Sequence, residues 1–512
     1  MLEQNLAKIA YKYPEKIAIV DDRSTTTYRE LEALVRGFSK GLSSLNISQS
    51  DCIAVVLPNC TEFVVSFYTA AKLNAVFLPL NHLFKEEELG YYISDSDAKV
   101  IITNTTRAKL CEQIIAKSES KIELITVDAA VASSIYFYDL ILPEAIEPEL
   151  EYEIFLSPEN FLYQYSSGST GRPKRVGRTQ HNLYHEVNNF TQTAKITTAD
   201  NILCLVPMYH AHGLGNCLLA SIQNGATLVI LEQFRQQGAP LEVPFVFRRL
   251  RVLELIQQEQ ITILPAVPYI FDTLAETPED TQADLTSLRL CFSAGNFLDR
   301  DTFERFRSRF GICVKQLYGC TEAGSVAINL DEPTKQTYGS VGRPMQNVEI
   351  KIIGDRGTQV PVGEVGEIVI KSQTLTSGYH NMPELNKTAF KDGAYFTGDL
   401  GKVDESGRLY ITGRKKILID TGGRKVDPIE IEDVLITHPN IKEAVVVGVK
   451  GFFAGEIIKA VIVPQSLPAC EQREISDYCK ARLAEFKVPR IIEFREEIPK
   501  SPLGKVLRKA LV

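Results

Sequence analysis

The ten residues Tyr165-Ser-Ser-Gly-Ser-Thr-Gly-Arg-Pro-Lys174 bring together the groups that hold a polyphosphate. Gly168 and Gly171 let backbone N–H groups turn toward an anion with no Cβ in the way. Ser167, Ser169 and Thr170 add neutral hydroxyl donors, and Lys174 adds a positive charge. The apolar-aromatic run Phe161–Tyr165 reads as a strand feeding the loop. The pattern is not a Walker A loop, which needs Gly-Lys-Ser/Thr with a helix directly after it. A Ser/Gly/Thr-rich turn is by itself commonly an ordinary surface loop, so its meaning rests on what accompanies it.

Four more segments carry groups suited to nucleotide chemistry. Gln316-Leu-Tyr-Gly-Cys-Thr-Glu-Ala-Gly324 sets an aromatic ring, a hydroxyl and a carboxylate at a strand–turn. Tyr395-Phe-Thr-Gly-Asp-Leu-Gly401 ends a strand on an acidic residue that suits ribose hydroxyls. Gly407-Arg-Leu-Tyr-Ile-Thr-Gly-Arg-Lys-Lys416 brings basic groups to a change of texture in the chain. Lys500-Ser-Pro-Leu-Gly-Lys505 presents a lysine after a glycine turn. Singly these are a strand end, a turn aspartate, a solvated linker and a solvated basic tail. Together, in this order, they form one constellation.

The elements that must position these groups alternate in type. Lys16–Val20, Cys52–Leu57, Ala75–Leu80, Asp97–Thr103 and Lys121–Val127 read as short buried strands; Tyr28–Leu45 and Phe63–Leu73 read as helices. After the loop come strand Asn201–Val206, helix Leu214–Ser221, strand Ala226–Leu231, and Ile261–Leu264 leading into Val267–Leu274. Such alternation predicts parallel sheets covered on both faces. From about Val348 short β segments separated by Gly-containing turns predict a β subdomain: Glu349–Ile353, Gly366–Ile370 and Arg408–Ile411. A compact α+β tail follows. There Asp427-Pro-Ile-Glu430 has the pattern of a capping box with Pro at the first helical position. Strand Glu443–Val449, a helix near Ile475–Glu485 and a final strand Ile491–Glu493 complete it. The boundary is placed at Arg414–Lys416, giving domains 1–415 and 416–512.

Bulk properties narrow the class. With 512 residues, 44% hydrophobic and 23% charged, the chain has enough apolar residues for several cores. A net charge of −8 argues against a general nucleic-acid partner, which requires a basic excess. The start Met1-Leu-Glu-Gln-Asn-Leu lacks the basic and apolar regions of a signal peptide, and no segment is long and apolar enough to cross a bilayer. Ten cysteines lie scattered without a Cys-x-x-Cys pair. Neither a zinc site nor a disulfide framework is indicated, and a reduced, cytoplasmic protein is expected.

In their order and over nearly the whole chain, from Tyr28-Arg-Glu-Leu to Gly504-Lys505, these motifs resemble the adenylate-forming superfamily. That group contains acyl-CoA synthetases, peptide-synthetase adenylation domains and luciferases. The resemblance implies an α/β protein: a large N-terminal region of two packed α/β sheets plus a β-barrel, with a small mobile α+β C-terminal domain. It implies that Ser167, Gly168, Ser169, Thr170, Gly171 and Lys174 cradle the ATP β- and γ-phosphates. Tyr318 would stack on adenine, Thr321 would contact the α-phosphate, and Glu322 would hold Mg²⁺. Asp399 and Arg414 would bind ribose hydroxyls, Lys416 would be the hinge, and Lys505 would enter the site during adenylation. Gly422 and Gly423 would line a channel for a thiol. A carboxylate is already nucleophilic at neutral pH, so the task left to such a site is to neutralise phosphates and hold the reactants in line.

The acid and its acceptor are less constrained. Pro207-Met-Tyr-His-Ala-His-Gly-Leu214 falls where the family lines its acyl pocket, which implies that His210 stands near the substrate carboxylate. His212 is either a second pocket residue or a satisfied core histidine. Gly295, Asn296 and Gly319 are the other expected pocket residues. Amino-acid-activating relatives carry a Phe-Asp pair in this segment; its absence favours an amine-free carboxylic acid, aryl or aliphatic. Arg175 replaces the usual Gly, Gln180 a common His, and Ile417 a frequent Asp. Seven residues follow Lys505, so no fused carrier domain is expected. The acceptor is then coenzyme A or the phosphopantetheine of a separate carrier protein, with Lys487-Val-Pro-Arg490 as a basic contact. The leading expectation is an ATP- and Mg²⁺-dependent acid–thiol ligase. A non-catalytic nucleotide sensor, suggested by Arg175 and Gln180, is the competing class.

Overall fold

The computed structural model describes residues 1–22, 24–143, 159–166, 173–236, 239–332, 334, 337–414, 418–451, 455–465, 471–499, 506 and 508–512. Helix Tyr28–Ser44 shows how local chemistry sets an element. Glu30 N donates to Thr27 Oγ1 at 3.2 Å while Thr27 N donates to Glu30 Oε2 at 2.7 Å, closing a capping box. Leu31, Val35, Phe38 and Leu42, at helical spacing, are buried along one face.

The chain forms two compact units. The first comprises Met1–His82, Ile93–Gln164 and Arg175–Gly413; the second comprises Leu83–Tyr92, Tyr165–Lys174 and Arg414–Val512. A seven-stranded sheet runs in the order Ile135–Tyr136, Glu123–Thr126, Ala98–Thr103, Cys52–Val56, Val76–Pro79, Leu162–Ser166, Lys174–Arg178. It is parallel at every pairing from Ile135–Tyr136 to Leu162–Ser166.

A nine-stranded sheet runs Arg343–Pro344, Gly324–Ile328, Val314–Cys320, Leu290–Ser293, Ile263–Ala266, Asn201–Cys204, Thr227–Ile230, Ile17–Val20, Thr25–Thr27. It is parallel from Val314–Cys320 to Ile17–Val20 and antiparallel at both edges. Apolar residues of both sheets, among them Ile53, Phe77, Ile102, Ile202, Leu228 and Phe292, share one continuous core with the helices between them. The near-continuous apolar character of these strands follows from burial on both faces.

The β subdomain expected from Val348 is a five-stranded sheet. Val348–Ile353, Gly366–Ser372, Ala394–Val403 and Phe390–Lys391 pair antiparallel, and Leu409–Arg414 adds to Ala394–Val403. A register shift between Glu367 and Val369 bends it as in a barrel wall.

The second unit contains a three-stranded sheet, Ile441–Lys450, Glu456–Pro464 and Ile491–Phe494, with helices Pro428–Ile436 and Gln472–Arg482. Its own core includes Ile431, Leu435, Val446, Ile458, Ile462, Ile475 and Cys479. Strand Glu456–Pro464 was not among those expected from the turn signals.

Two local expectations need correction. Leu214–Leu219 is a π-helical stretch, continued as α-helix only over Ala220–Gln223. Asp427 does cap its helix, accepting from Ile429 N at 2.9 Å, but Glu430 is drawn to Lys487 Nζ at 2.7 Å rather than closing a capping box. An ion pair outcompetes the backbone N–H for that carboxylate.

Candidate active site

Four neighbouring parallel strands, Val314–Cys320, Leu290–Ser293, Ile263–Ala266 and Asn201–Cys204, end side by side. The chain leaving their carboxyl ends carries Thr321–Glu322, Gly295–Asn296, Val267 and Pro207–His210 respectively. Open α/β sheets bind ligands outside the carboxyl ends of their strands. The fold therefore gathers residues spread over more than a hundred positions of sequence along one edge.

The turn bearing Thr321 and Glu322 joins Val314–Cys320 to the antiparallel strand Gly324–Ile328. Two glycines make it possible. A Cβ on Gly319 would lie 2.5 Å from the Gly324 carbonyl oxygen, and Gly324 itself sits at φ +70°. Tyr318, on the same strand, is buried, and its hydroxyl donates to Asp399 Oδ2 at 2.6 Å. Burial, then the charge of Asp399, raises the Tyr318 pKa well above the ordinary phenol range.

Glu322 is buried at 6% exposure, with Oε1 accepting from the Tyr379 hydroxyl at 2.8 Å. Tyr379 and Tyr395 hydroxyls lie 3.1 Å apart. Burial and the Glu322 charge raise both phenol pKa values, so both rings stay protonated and at least one donates to the carboxylate. The Glu322 carbonyl accepts from Thr376 N at 2.9 Å, fixing the turn's backbone as well.

The acyl-pocket candidates divide. His212 Nε2 lies 3.1 Å from the Ala266 carbonyl, and its Nδ1 lies 2.9 Å from Asn216 Nδ2. A carbonyl only accepts, so Nε2 carries the proton and Asn216 donates to Nδ1. Asn216 Oδ1 in turn accepts from Ser325 Oγ at 2.8 Å. Burial lowers the His212 pKa to about 4, so the ring is neutral. His212 is thus a satisfied framework residue at the strand ends. His210 is exposed at the N-cap of the short helix Ala211–Gly213. Gly295 takes φ +83°, with Val267 Cγ1 3.8 Å from a built Cβ; Asn296 is exposed beside it.

Ser167, Gly168, Ser169, Thr170, Gly171, Lys416 and Lys505 lie outside the described residues. Lys174 opens strand Lys174–Arg178, and Arg414 closes strand Leu409–Arg414. Gly422 and Gly423 occupy φ +73° and +89° in the turn between Ile419–Asp420 and Lys425–Val426, where a side chain would be strained. Lys487 is no surface contact for a phosphate. It is buried, with Glu88 and Glu430 each 2.7 Å from its Nζ. A lysine so enclosed needs both counter-charges, which takes Lys487 out of the expected basic contact and leaves only the exposed Arg490 of that run.

The two departures that suggested a sensor have structural explanations. The Arg175 guanidinium lies over the Tyr163 ring, 4.7 Å from its centroid, and 3.5 Å from Asp95 Oδ2. Gln180 donates to Ala71 O at 2.9 Å and Asn74 Oδ1 at 3.1 Å and accepts from Leu2 N at 3.2 Å. Other residues at this edge escaped sequence reasoning: Tyr379, Arg178 and Glu186. Glu186 falls on the apolar face of helix Gln180–Thr193 between Leu183 and Val187, a charge at a core position that could have been noticed.

Comparison with known proteins joins these observations. The model of the AMP-binding enzyme family matches residues 6–380, and that of the AMP-binding enzyme C-terminal domain matches 430–505. The chain belongs to the AMP-binding enzymes. A 4-coumarate–CoA ligase of Oryza sativa subsp. japonica is 34% identical, over 95% of this chain and 86% of its own. A long-chain-fatty-acid–CoA ligase of Mycobacterium tuberculosis is 32% identical, over 95% and 92%. Among solved structures, an o-succinylbenzoate CoA synthetase double mutant from Bacillus subtilis, bound with a product analogue, superposes with a TM-score of 0.85. It is 28% identical and covers 99% of this chain and 98% of its own. This AMP-binding enzyme is an AMP-forming acid–thiol ligase. Among the described residues, no helix is long and apolar enough to cross a membrane.

Proposed function

We propose that this enzyme joins an amine-free aryl or aliphatic carboxylic acid to coenzyme A in two half-reactions at the strand-end site. In the first, a carboxylate oxygen attacks the α-phosphorus of ATP, the Pα–O bond to the β-phosphate breaks, and pyrophosphate leaves. In the second, the thiol sulfur attacks the acyl carbon, the bond to AMP breaks, and the thiol proton is released. The observation that carries this reading is the Thr321–Glu322 turn set among the ends of four parallel strands, with Tyr318–Asp399 on its flank.

Residue roles follow from chemistry and family resemblance. Ser167, Gly168, Ser169, Thr170, Gly171 and Lys174 hold the β- and γ-phosphates; Thr321 contacts the α-phosphate. Tyr318 presents its ring to adenine while its hydroxyl orients Asp399, which with Arg414 takes the ribose. His210, Gly295, Asn296 and Gly319 bound the acyl group. Lys416 is the hinge between a domain of residues 1–415 and one of 416–512, Lys505 enters for adenylation, and Gly422 and Gly423 give the thiol passage.

Glu322 suits Mg²⁺. A carboxylate with the neighbouring Thr321 hydroxyl is a hard oxygen donor set, and Mg²⁺ is commonly held by one or two carboxylates with substrate phosphates rather than by a protein cage. When bound, the ion neutralises phosphate charge. The nine described cysteines are free thiols, which fits a cytoplasmic setting.

The test is pyrophosphate release from Mg-ATP over aryl, short, medium and long acids, with and without coenzyme A, and then with Lys505→Ala. Release with one acid class, accelerated by coenzyme A as free thiol disappears, is the expected result. Release indifferent to coenzyme A and restored by a phosphopantetheinylated carrier would replace the acceptor. Lys505→Ala should suppress acyl-AMP formation yet spare thioester formation from supplied acyl-AMP. Equal acyl-AMP formation would remove the role given to Lys505.

A further inference from the structure

Arg178 and Glu186 form an ion pair at 2.7 Å with 1% and 3% of their side chains exposed. Such burial is costly for both charges unless each is fully occupied. Here each charge is also tied to backbone close to the site. Arg178 Nη2 donates to the Thr374 carbonyl at 3.1 Å. Glu186 Oε1 accepts from Ser325 N at 3.2 Å, at the foot of the Thr321–Glu322 turn.

Two glycines leave room for that carboxylate. A Cβ on Gly324 would fall 2.1 Å from Glu186 Cδ, and one on Gly215 would fall 2.6 Å from Oε1. The carboxylate therefore lies directly on the turn's backbone, with the π-helical stretch Leu214–Leu219 on its other side. The same strand reaches the turn by a second route: Thr376 donates its hydroxyl to the Gly177 carbonyl at 2.6 Å and its N–H to the Glu322 carbonyl at 2.9 Å.

We propose that Arg178 and Glu186 are positioning residues for adenylation: the pair fixes the Thr321–Glu322 turn to the strand that leaves the phosphate loop. Neither is expected to touch substrate. The inference rests on the reading that Thr321 and Glu322 serve the nucleotide. It predicts a selective defect. The half-reaction that must place a triphosphate loses most, and the half-reaction that starts from acyl-AMP loses little.

The experiment compares Glu186→Gln with wild type and with Glu322→Ala, using the full chain and one acid that supports turnover. Glu186→Gln keeps the side-chain shape and an oxygen for Ser325 N, but removes the charge facing Arg178. Measurements are acid-dependent ATP–pyrophosphate exchange, thioester formation from supplied acyl-AMP, and the melting temperature. We expect exchange to fall at least tenfold, with the loss in kcat or in the KM for ATP, while thioester formation stays within about threefold. The double variant Arg178→Met with Glu186→Gln removes both charges. It guards against simple misfolding and should regain thermal stability without regaining exchange. Parallel loss of both half-reactions in step with melting temperature would overturn the proposal, as would unchanged exchange. If Glu322→Ala also left exchange intact, the underlying role of that turn would fall with it; if only Glu186→Gln did, the turn's role would stand and the positioning inference alone would fail.

Discussion

The Tyr318 hydroxyl is committed to Asp399 at 2.6 Å, joining the nine-stranded sheet to the β subdomain. The Asp399 backbone N–H donates to Thr397 Oγ1 at 3.0 Å, so the residue is held at its main chain as well as at its carboxylate. In the proposed reading this pair orients one residue for adenine and the other for ribose before any nucleotide arrives.

Tyr318→Phe keeps the ring and deletes the hydrogen bond. A hydrogen bond to a charged group contributes about 1.5–3 kcal/mol. The KM for ATP in pyrophosphate exchange should therefore rise by about tenfold or more, with kcat less affected. An unchanged KM would show that the pair supports the fold rather than the nucleotide.

Lys487 holds the second unit together through Glu88 and Glu430, with the Phe84 ring 5.2 Å from its Nζ. Burial alone would lower its pKa, but the two carboxylates outweigh that and raise it; burial raises the Glu88 pKa. Lys487→Met leaves the buried Glu88 carboxylate facing the half-buried Glu430 and should destabilise by about 3–5 kcal/mol, the usual cost of stranding a buried charge. Urea unfolding measures this directly. Adding Glu430→Gln should return part of the loss, and a melting curve like the parent's would contradict the burial.

Asp427 gives a pH signature. Burial raises its pKa from 3.8 to about 6. A carboxyl that binds its proton more tightly when folded contributes fully at pH values below its unfolded pKa, and that contribution fades as pH rises through about 6. Asp427→Asn retains a good N-cap without titrating. Plotted from pH 4 to 7, its melting temperature relative to the parent should rise as the parent's carboxyl ionises. A flat difference would exclude this titration.

His212 has the opposite sign. Its pKa is lowered from 6.5 to about 4, so its contribution to stability is complete above 6.5 and is lost as pH falls toward 4. In ¹⁵N-resolved NMR its ring should remain neutral from pH 5.5 to 8, protonated on Nε2. A midpoint near 6.5 would break the assigned chain through Asn216 to Ser325.

The class of chemistry is legible in the amino-acid sequence alone. The segments Tyr165–Lys174, Tyr318–Glu322, Asp399 and Lys505 follow one another in a sequence order that resembles adenylate-forming enzymes, and helix Tyr28–Ser44 shows its cap and apolar face in its letters. Local patterns of that kind are legible because capping and periodicity act between neighbours in the chain. How charges and polar groups are shared emerges from the three-dimensional fold. Lys487 reads as a basic surface contact in the sequence, whereas Glu88, 399 residues away in sequence, lies beside it in the fold. Arg175 and Gln180 depart from the family pattern in sequence, and Tyr163, Asp95, Ala71 and Leu2 supply their partners in the fold. Glu186 became meaningful through Arg178 and the backbone of Ser325. A buried charge or hydroxyl is tolerated only where a partner meets it, and those partners are brought together by sheet topology rather than by sequence spacing.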